Sequence, residues 1–449
     1  MPDRFEKNDA NRSAREWLKR RKRWMRFGCA AAAICGAILI GVLLFTQRGT
    51  ERPDAARQAK PITVVELTAA PTDLPTENPT DAPIADPTAE VRATPEPEAS
   101  AEIATSPVPA QNAQPVDSKY VDTIVISAVG DCTLGGDTNG SGLEERFAKA
   151  VAEYGYDYFF ANVRDLFAQD DFTVVNVEGV LTTRTEKRVG RTFNMRGDPS
   201  YAKILTAGNV DVCNVANNHA LDFLTEGLYD TRDALESEGL AVCGYKQVYY
   251  ADCSGKRVGF VGISAWEYSD DEMAQMVRDA RAECDLLIVS IHWGQERVNR
   301  FPREQKRTGE RLVDAGADLV IGNHSHVYGE FYKYNGKYII YSLGNFCFGG
   351  NRNPDDKRCI IFQQTFGITE SGEIVDAGIN IIPASISGRS DTNDYQPRIL
   401  DLDAGASLLS SVAKISNLTP EDTIWMESSY EIQNGIIASS IADGNGDIQ

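Results

Sequence analysis

The chain holds only four histidines, and each lies at the end of an apolar run. Leu286-Leu287-Ile288-Val289-Ser290-Ile291 leads into His292, and Val210-Asp211-Val212-Cys213-Asn214-Val215-Ala216 into Asn217-Asn218-His219. Ala317-Asp318-Leu319-Val320-Ile321 leads into Gly322-Asn323-His324-Ser325-His326. Two further runs end in carboxylates: Thr123 to Val129 before Gly130-Asp131, and Phe172 to Val177 before Glu178. Imidazole, carboxylate and an amide oxygen such as that of Asn218 form the donor set of a borderline divalent metal of the Zn, Fe or Mn type. A lone histidine after a strand is ordinarily a core or loop residue, but four so placed and none elsewhere point to one shared site. A carboxylate such as Glu178 can bridge two ions, as two-metal hydrolytic centres require. No GxSxG elbow competes with this reading, since Gly262-Ile263-Ser264-Ala265-Trp266 lacks the second glycine.

The elements that must hold these residues follow from periodicity. Short apolar, β-branched runs read as buried strands. Amphipathic stretches near Leu143–Tyr154, Glu226–Glu238 and Glu304–Ala315 read as helices between them. Strands are also expected at Arg257–Ser264, Asp285–His292 and Asp318–Ile321. The alternation predicts an α/β layered core, with ligands bound beyond the carboxyl ends of the strands. Gly130-Asp131 reads as a break that ends the first strand. If the segment after Ile321 stays extended, His324 and His326 point the same way, because alternate residues share a face. Farther on, Lys337–Ser342 reads as a strand, and Cys359–Phe366 with Glu373–Ile382 as a hairpin about Thr369-Glu370-Ser371-Gly372, before a closing helix near Leu408–Ile415.

The first quarter of the chain reads differently. Residues 1–26 form a basic segment, with ten Lys/Arg against four Asp/Glu. Residues 27–46 carry no charge, and as a helix would span about 30 Å, the thickness of a bilayer's hydrocarbon core. The basic cluster on its N-terminal side places that end in the cytoplasm and the rest outside the membrane. No small-x-small cleavage site follows, so an uncleaved single-pass anchor is expected rather than a signal peptide. Residues 47–118 are rich in Pro, Thr, Ala and Glu and are expected to be a disordered stalk. The folded domain is expected over 119–400, with a helix and tail over 401–449. Asp443-Gly444-Asn445-Gly446-Asp447 imitates the start of a calcium loop, but Ile448 stands where the loop needs glycine, so it reads as a frayed tail. The basic segment contributes +6 to a net charge of −20, so the remainder carries −26. That balance argues against nucleic acid or anionic lipid as the partner of the outer domain. Seven of the nine cysteines lie outside the apolar segment, with no CxxC spacing. Free buried thiols are expected, with a Cys243–Cys253 pairing left open.

Gly130-Asp131, Asn176-Val177-Glu178, Ala216-Asn217-Asn218-His219-Ala220-Leu221-Asp222, His292-Trp293-Gly294, Gly322-Asn323-His324-Ser325-His326 and Tyr341-Ser342-Leu343-Gly344-Asn345-Phe346 occur in series. Over about Asp122 to Pro397 this resembles the CapA/PgsA family of capsule and poly-γ-glutamate synthesis proteins, of the calcineurin-like metallophosphoesterase superfamily. The resemblance implies a β-sandwich flanked by helices, one or two divalent ions (Mn, Fe or Zn), and a role in making or handling an anionic surface polymer beside membrane synthase subunits. By the same resemblance, Asp131 and His326 would serve one metal, Glu178 would bridge, and Asn218, His292 and His324 would serve the other. His219 would be the acid that protonates the leaving group, with Asp222 orienting it if a helix begins there. The superfamily's first motif is Asp-x-His, whereas this chain has Asp131-Cys132-Thr133, so one tight and one loose ion, or a single ion, is expected. Cys132 reads as a small core residue. Glu296 is a weaker candidate beside His292, and Arg191 and Arg196 are weaker candidates for meeting an anionic substrate. Two functions fit: a metal-dependent hydrolase acting on a phosphoester or on the polymer, or a non-catalytic polymer-handling subunit of a membrane synthase.

Overall fold

The structure, a computed structural model, describes residues 119–416 and the backbone of a short strand at Thr63–Glu66. The basic segment, the apolar segment, the rest of the Pro-rich stretch and the tail lie outside the described residues. Among the described residues no helix is long and apolar enough to cross a membrane.

The described residues build a mixed α/β fold on two main sheets. One sheet orders Arg398–Ile399, Ile374–Ser385, Arg358–Ile368, Asp122–Thr133, Phe172–Val177, Val212–Asn214 and Ala241–Cys243, and Asn345–Phe348 pairs beside Asp122–Thr133. The other orders Thr63–Glu66, Gln247–Cys253, Lys256–Ser264, Leu286–His292, Leu319–Asn323, Lys337–Ile340 and Phe331–Tyr334. Ile124, Ile126, Phe172 and Val174 of the first sheet share a buried cluster with Phe260, Leu286, Ile288 and Ile321 of the second, so the sheets stack face to face. Helices cover the outer faces. Leu143–Tyr154 and Leu224–Ser237 pack on the first sheet, and Asp270–Arg281 and Arg303–Asp314 on the second. A strand covered on both sides buries every side chain, and Leu286–His292 is accordingly apolar apart from Ser290 and His292. All seven cysteines among the described residues are free, Cys243 and Cys253 included.

Three expectations change. The first strand does not break at Gly130 but runs from Asp122 to Thr133. That glycine serves packing, not a turn: a Cβ there would lie 1.8 Å from the Gly344 carbonyl oxygen, which accepts from the Asp131 amide at 3.0 Å. Within the stretch expected to lack structure, Thr63–Glu66 pairs antiparallel with Gln247–Cys253. The physical reason is local, since Ile62 to Leu67 is largely β-branched or apolar and free of proline between Pro61 and Pro71. Third, Asp270–Arg281 is a helix the periodicity reading passed over, capped by Ser269 and Glu272 in a reciprocal box.

Candidate metal centre

The first sheet brings Asp131 and Glu178 together through register. Asp131 lies opposite Asn176 in the parallel pairing, and Glu178 follows two residues later, its amide donating to the Cys132 carbonyl at 3.0 Å. Asn176 Nδ2 donates to Asp131 Oδ1 at 2.8 Å and stands 3.1 Å from His292 Nδ1. Behind it, Asn214 Nδ2 donates to Asn176 Oδ1 at 3.2 Å and to Ser290 Oγ at 3.1 Å. These buried amides tie the two sheets beneath the site, satisfying polar groups that would otherwise be costly to bury.

The second sheet brings the imidazoles. His292 ends the Leu286–His292 strand and is fully buried. Leu319–Asn323 ends one residue before His324, and the extended geometry expected for the pair does not hold: His324 has φ 99° and His326 φ 57°. Two left-handed residues, each costing on the order of 1–3 kcal/mol, turn the backbone so that the rings come within 5.9 Å. The His324 amide donates to Asp131 Oδ2 at 3.2 Å, and Trp266 meets the His324 ring edge-on at 4.6 Å.

Two groups of donors meet at Glu178. On one side, Glu178 Oε1 lies 3.5 Å, Asn218 Oδ1 2.9 Å and His324 Nδ1 3.1 Å from His292 Nε2. On the other, Asp131 Oδ2 lies 3.4 Å and Glu178 Oε2 3.8 Å from His326 Nδ1. Glu178/His292/His324 and Asp131/Glu178/His326 each gather their ligand atoms within 4.8 Å. Ligands about 2.1 Å from one ion stand about 3.0–3.4 Å apart, so both groups have the spacing of a shared cation. The carboxylate makes the same point: both Glu178 oxygens are buried and accept no hydrogen bond. A buried, unpartnered carboxylate is expensive unless a positive charge faces it.

The electrostatics follow. Burial would raise the Glu178 carboxyl, but His326, His292 and His219 outweigh it and hold it well below the usual carboxylate range. Burial opposes a charge on His326, yet Glu178 and Asp131 carry its pKa up to about 10. Burial, then His292 and His326, push His324 well below the ordinary imidazole value.

His219 Nδ1 lies 2.7 Å from Asp222 Oδ2. No helix begins at Asp222. Instead a turn closes by Asp222 N to His219 O at 3.1 Å, and the helix starts at Leu224. Burial opposes the charged imidazole, Asp222 outweighs burial, and the His219 pKa is raised. Arg191 is not a surface residue but part of this arrangement: its guanidinium donates to the Asn218 carbonyl at 3.1 Å and stands 3.9 Å from Asp222 Oδ1. Arg196 is engaged elsewhere, donating to Glu144 Oε1 at 2.7 Å and to the Arg184 carbonyl. Glu296 is exposed, and Cys132 is core, its thiol pushed up to about 12 by burial. The structure thus brings Asp131, Glu178, Asn218, His219, Asp222, His292, His324 and His326 into one neighbourhood. Asn176 and Trp266 were not singled out from sequence. Asn176 carries a usable signal, since it lies two residues before Glu178 and so shares its face of the strand.

What fold and site define is a mixed α/β domain with a buried histidine–carboxylate centre where strands from two sheets end. Residues 125–350, about half of the chain, match the family described as bacterial capsule synthesis protein PGA_cap, and the chain belongs to that family. It is 30% identical over 261 residues to the PGA biosynthesis protein CapA of Bacillus subtilis (strain 168), covering 52% of this chain and 66% of that one. It is 26% identical over 272 residues to the capsule biosynthesis protein CapA of Bacillus anthracis, covering 54% and 64%. A probable polyglutamine synthesis accessory protein of Mycobacterium tuberculosis is 30% identical over 209 residues, covering 39% and 55%. The chain therefore spans between 55% and 66% of these relatives' length.

Proposed function

We propose that the chain is a membrane-anchored, extracytoplasmic protein of capsule or poly-γ-glutamate synthesis whose site is a divalent-metal centre of the calcineurin-like phosphoesterase type. The family match supports the process, and the sequence of residues 1–46 supports the anchor. One observation carries the chemistry: Glu178 turns one oxygen toward His292 and His324, with Asn218 beside His292, and the other toward Asp131 and His326. Those six residues would hold one or two ions of Mn, Fe or Zn. Such ions, when bound, polarise a phosphoryl oxygen and offset charge at the reacting centre. His219, oriented by Asp222, which raises its pKa against burial, would donate a proton to the leaving oxygen as a general acid. Arg191 fixes both the Asp222 carboxylate and the Asn218 backbone. The substrate is a phosphoester or the anionic polymer itself, and the partners are subunits of a membrane polymer synthase.

Thr133, buried with its hydroxyl unpartnered, favours a second reading, a polymer-handling subunit without turnover, because threonine is a poor metal ligand. The test loads the full chain with Mn²⁺, Fe²⁺ or Zn²⁺ and assays aryl phosphomonoesters and phosphodiesters against His219→Ala. A drop of about 10²–10⁴-fold with metal retained supports the enzyme. No turnover with any metal, together with polymer production indifferent to His219→Ala but lost with the domain, establishes the subunit instead.

A further inference from the structure

The Glu178 Oε1 side has four donors, two imidazoles, a carboxylate and the amide oxygen of Asn218, whereas the Oε2 side so far has three. A fourth stands there. Asn345 opens a short strand, Asn345–Phe348, that pairs parallel with Asp122–Thr133 and places Asn345 level with Asp131. Laterally paired residues present their side chains on the same face. Asn345 is 3% exposed, and its Oδ1 lies 2.9 Å from His326 Nδ1. Its Nδ2 donates to the His326 carbonyl at 3.3 Å, which fixes the amide with oxygen toward the site. The strand is held against Asp131 by the Asp131 amide bond to the Gly344 carbonyl, with Gly344 at φ 84°.

From this juxtaposition we infer that Asn345 Oδ1 is the fourth protein ligand of the cation held by Asp131, Glu178 and His326, the counterpart of Asn218 on the other side. The inference rests on the metal centre proposed above. Measured from His326 Nδ1, the three oxygens stand at 2.9, 3.4 and 3.8 Å, close to the spacing of ligands around one ion. The ordinary alternative is a hydrogen bond, with the His326 Nδ1–H donating to the amide. The two differ in which His326 nitrogen faces the ion, Nδ1 where Asn345 is a ligand and Nε2 where the amide oxygen only accepts from Nδ1–H. The donor sets also differ in kind. Three oxygens and one imidazole suit Mn²⁺, whereas the two-imidazole side suits Zn²⁺ or Fe²⁺.

The test counts ions per chain after dialysis of Mn²⁺-loaded full-length protein by elemental analysis, and records the Mn²⁺ paramagnetic resonance. Wild type is expected to hold two ions with an exchange-coupled spectrum. Asn345→Ala is expected to hold one, showing the sextet of isolated Mn²⁺, with affinity at the emptied side down about 100-fold or more. Asn345→Asp should restore two, and Asn218→Ala should lose the other ion. Equal melting of the metal-free variants excludes misfolding as the cause. Two ions retained in Asn345→Ala, or a single wild-type ion indifferent to Asn345, overturns the inference. A wild type that binds no ion sinks the metal centre itself, and the ligand role falls with it. Anomalous diffraction from Mn²⁺-loaded crystals decides the contact directly. An ion about 2.0–2.2 Å from Asn345 Oδ1 is expected, and one beyond about 3 Å refutes the ligand role.

Discussion

His326 keeps its proton to about pH 10 in the metal-free chain because, although burial opposes the charge, Glu178 and Asp131 face it. His324 is pushed the other way, well below the ordinary imidazole value, by burial and then by its histidine neighbours. An ion entering beside His326 must displace a proton. The sign is therefore fixed: below about pH 10, affinity on the His326 side rises with pH, by about tenfold per unit, or about 1.4 kcal/mol. Calorimetric titration in two buffers of different ionisation enthalpy checks this. Close to one proton released per ion on that side is expected at pH 7.5. Residue types made the donor set legible in the sequence, since all four imidazoles sit at strand ends and none elsewhere. Asn345 was not legible as a donor, because an asparagine after a glycine is also what a plain turn looks like.

Elements were legible where one periodicity ruled. The Leu286–His292 strand and the Arg303–Asp314 helix fall within a residue or so of where hydrophobic pattern puts them. The Asp270–Arg281 helix, absent from the expected elements, still carried a signal in its cap and in Met273, Met276, Val277 and Ala280. What sequence could not show is why a glycine is present. Gly130 reads as a strand end and is instead the place where two backbones touch. Gly130→Ala is expected to destabilise the fold by about 3 kcal/mol or more, since the atom it meets is a backbone carbonyl that cannot swing away. Urea denaturation measures the loss, and the same variant should lose the Asn345 strand's register against Asp131. The left-handed turns at His324 and His326 were equally hidden, because histidine, though enriched at positive φ, still adopts negative φ far more often.

At the scale of the whole molecule, the donors are divided between the sheets. Asp131 lies in, and Glu178 and Asn218 follow, strands of one; His292 ends, and His324 and His326 follow, strands of the other. A bound ion would clamp the sandwich shut at one end, so occupancy and global stability are linked. Metal at 100 times its Kd should add about 2.7 kcal/mol, seen as a rise in melting temperature that EDTA reverses. A melting point indifferent to metal and chelator would show that no ion joins the sheets.

The order of the donors along the chain has a last consequence. Asp131, Glu178 and Asn218 all precede the exposed Ser254-Gly255 turn, and His292, His324 and His326 all follow it. Severing the backbone there would leave carboxylates in one fragment and imidazoles in the other, each an incomplete half. Ion uptake by the mixed halves would then count reunited molecules, making the centre a built-in complementation reporter.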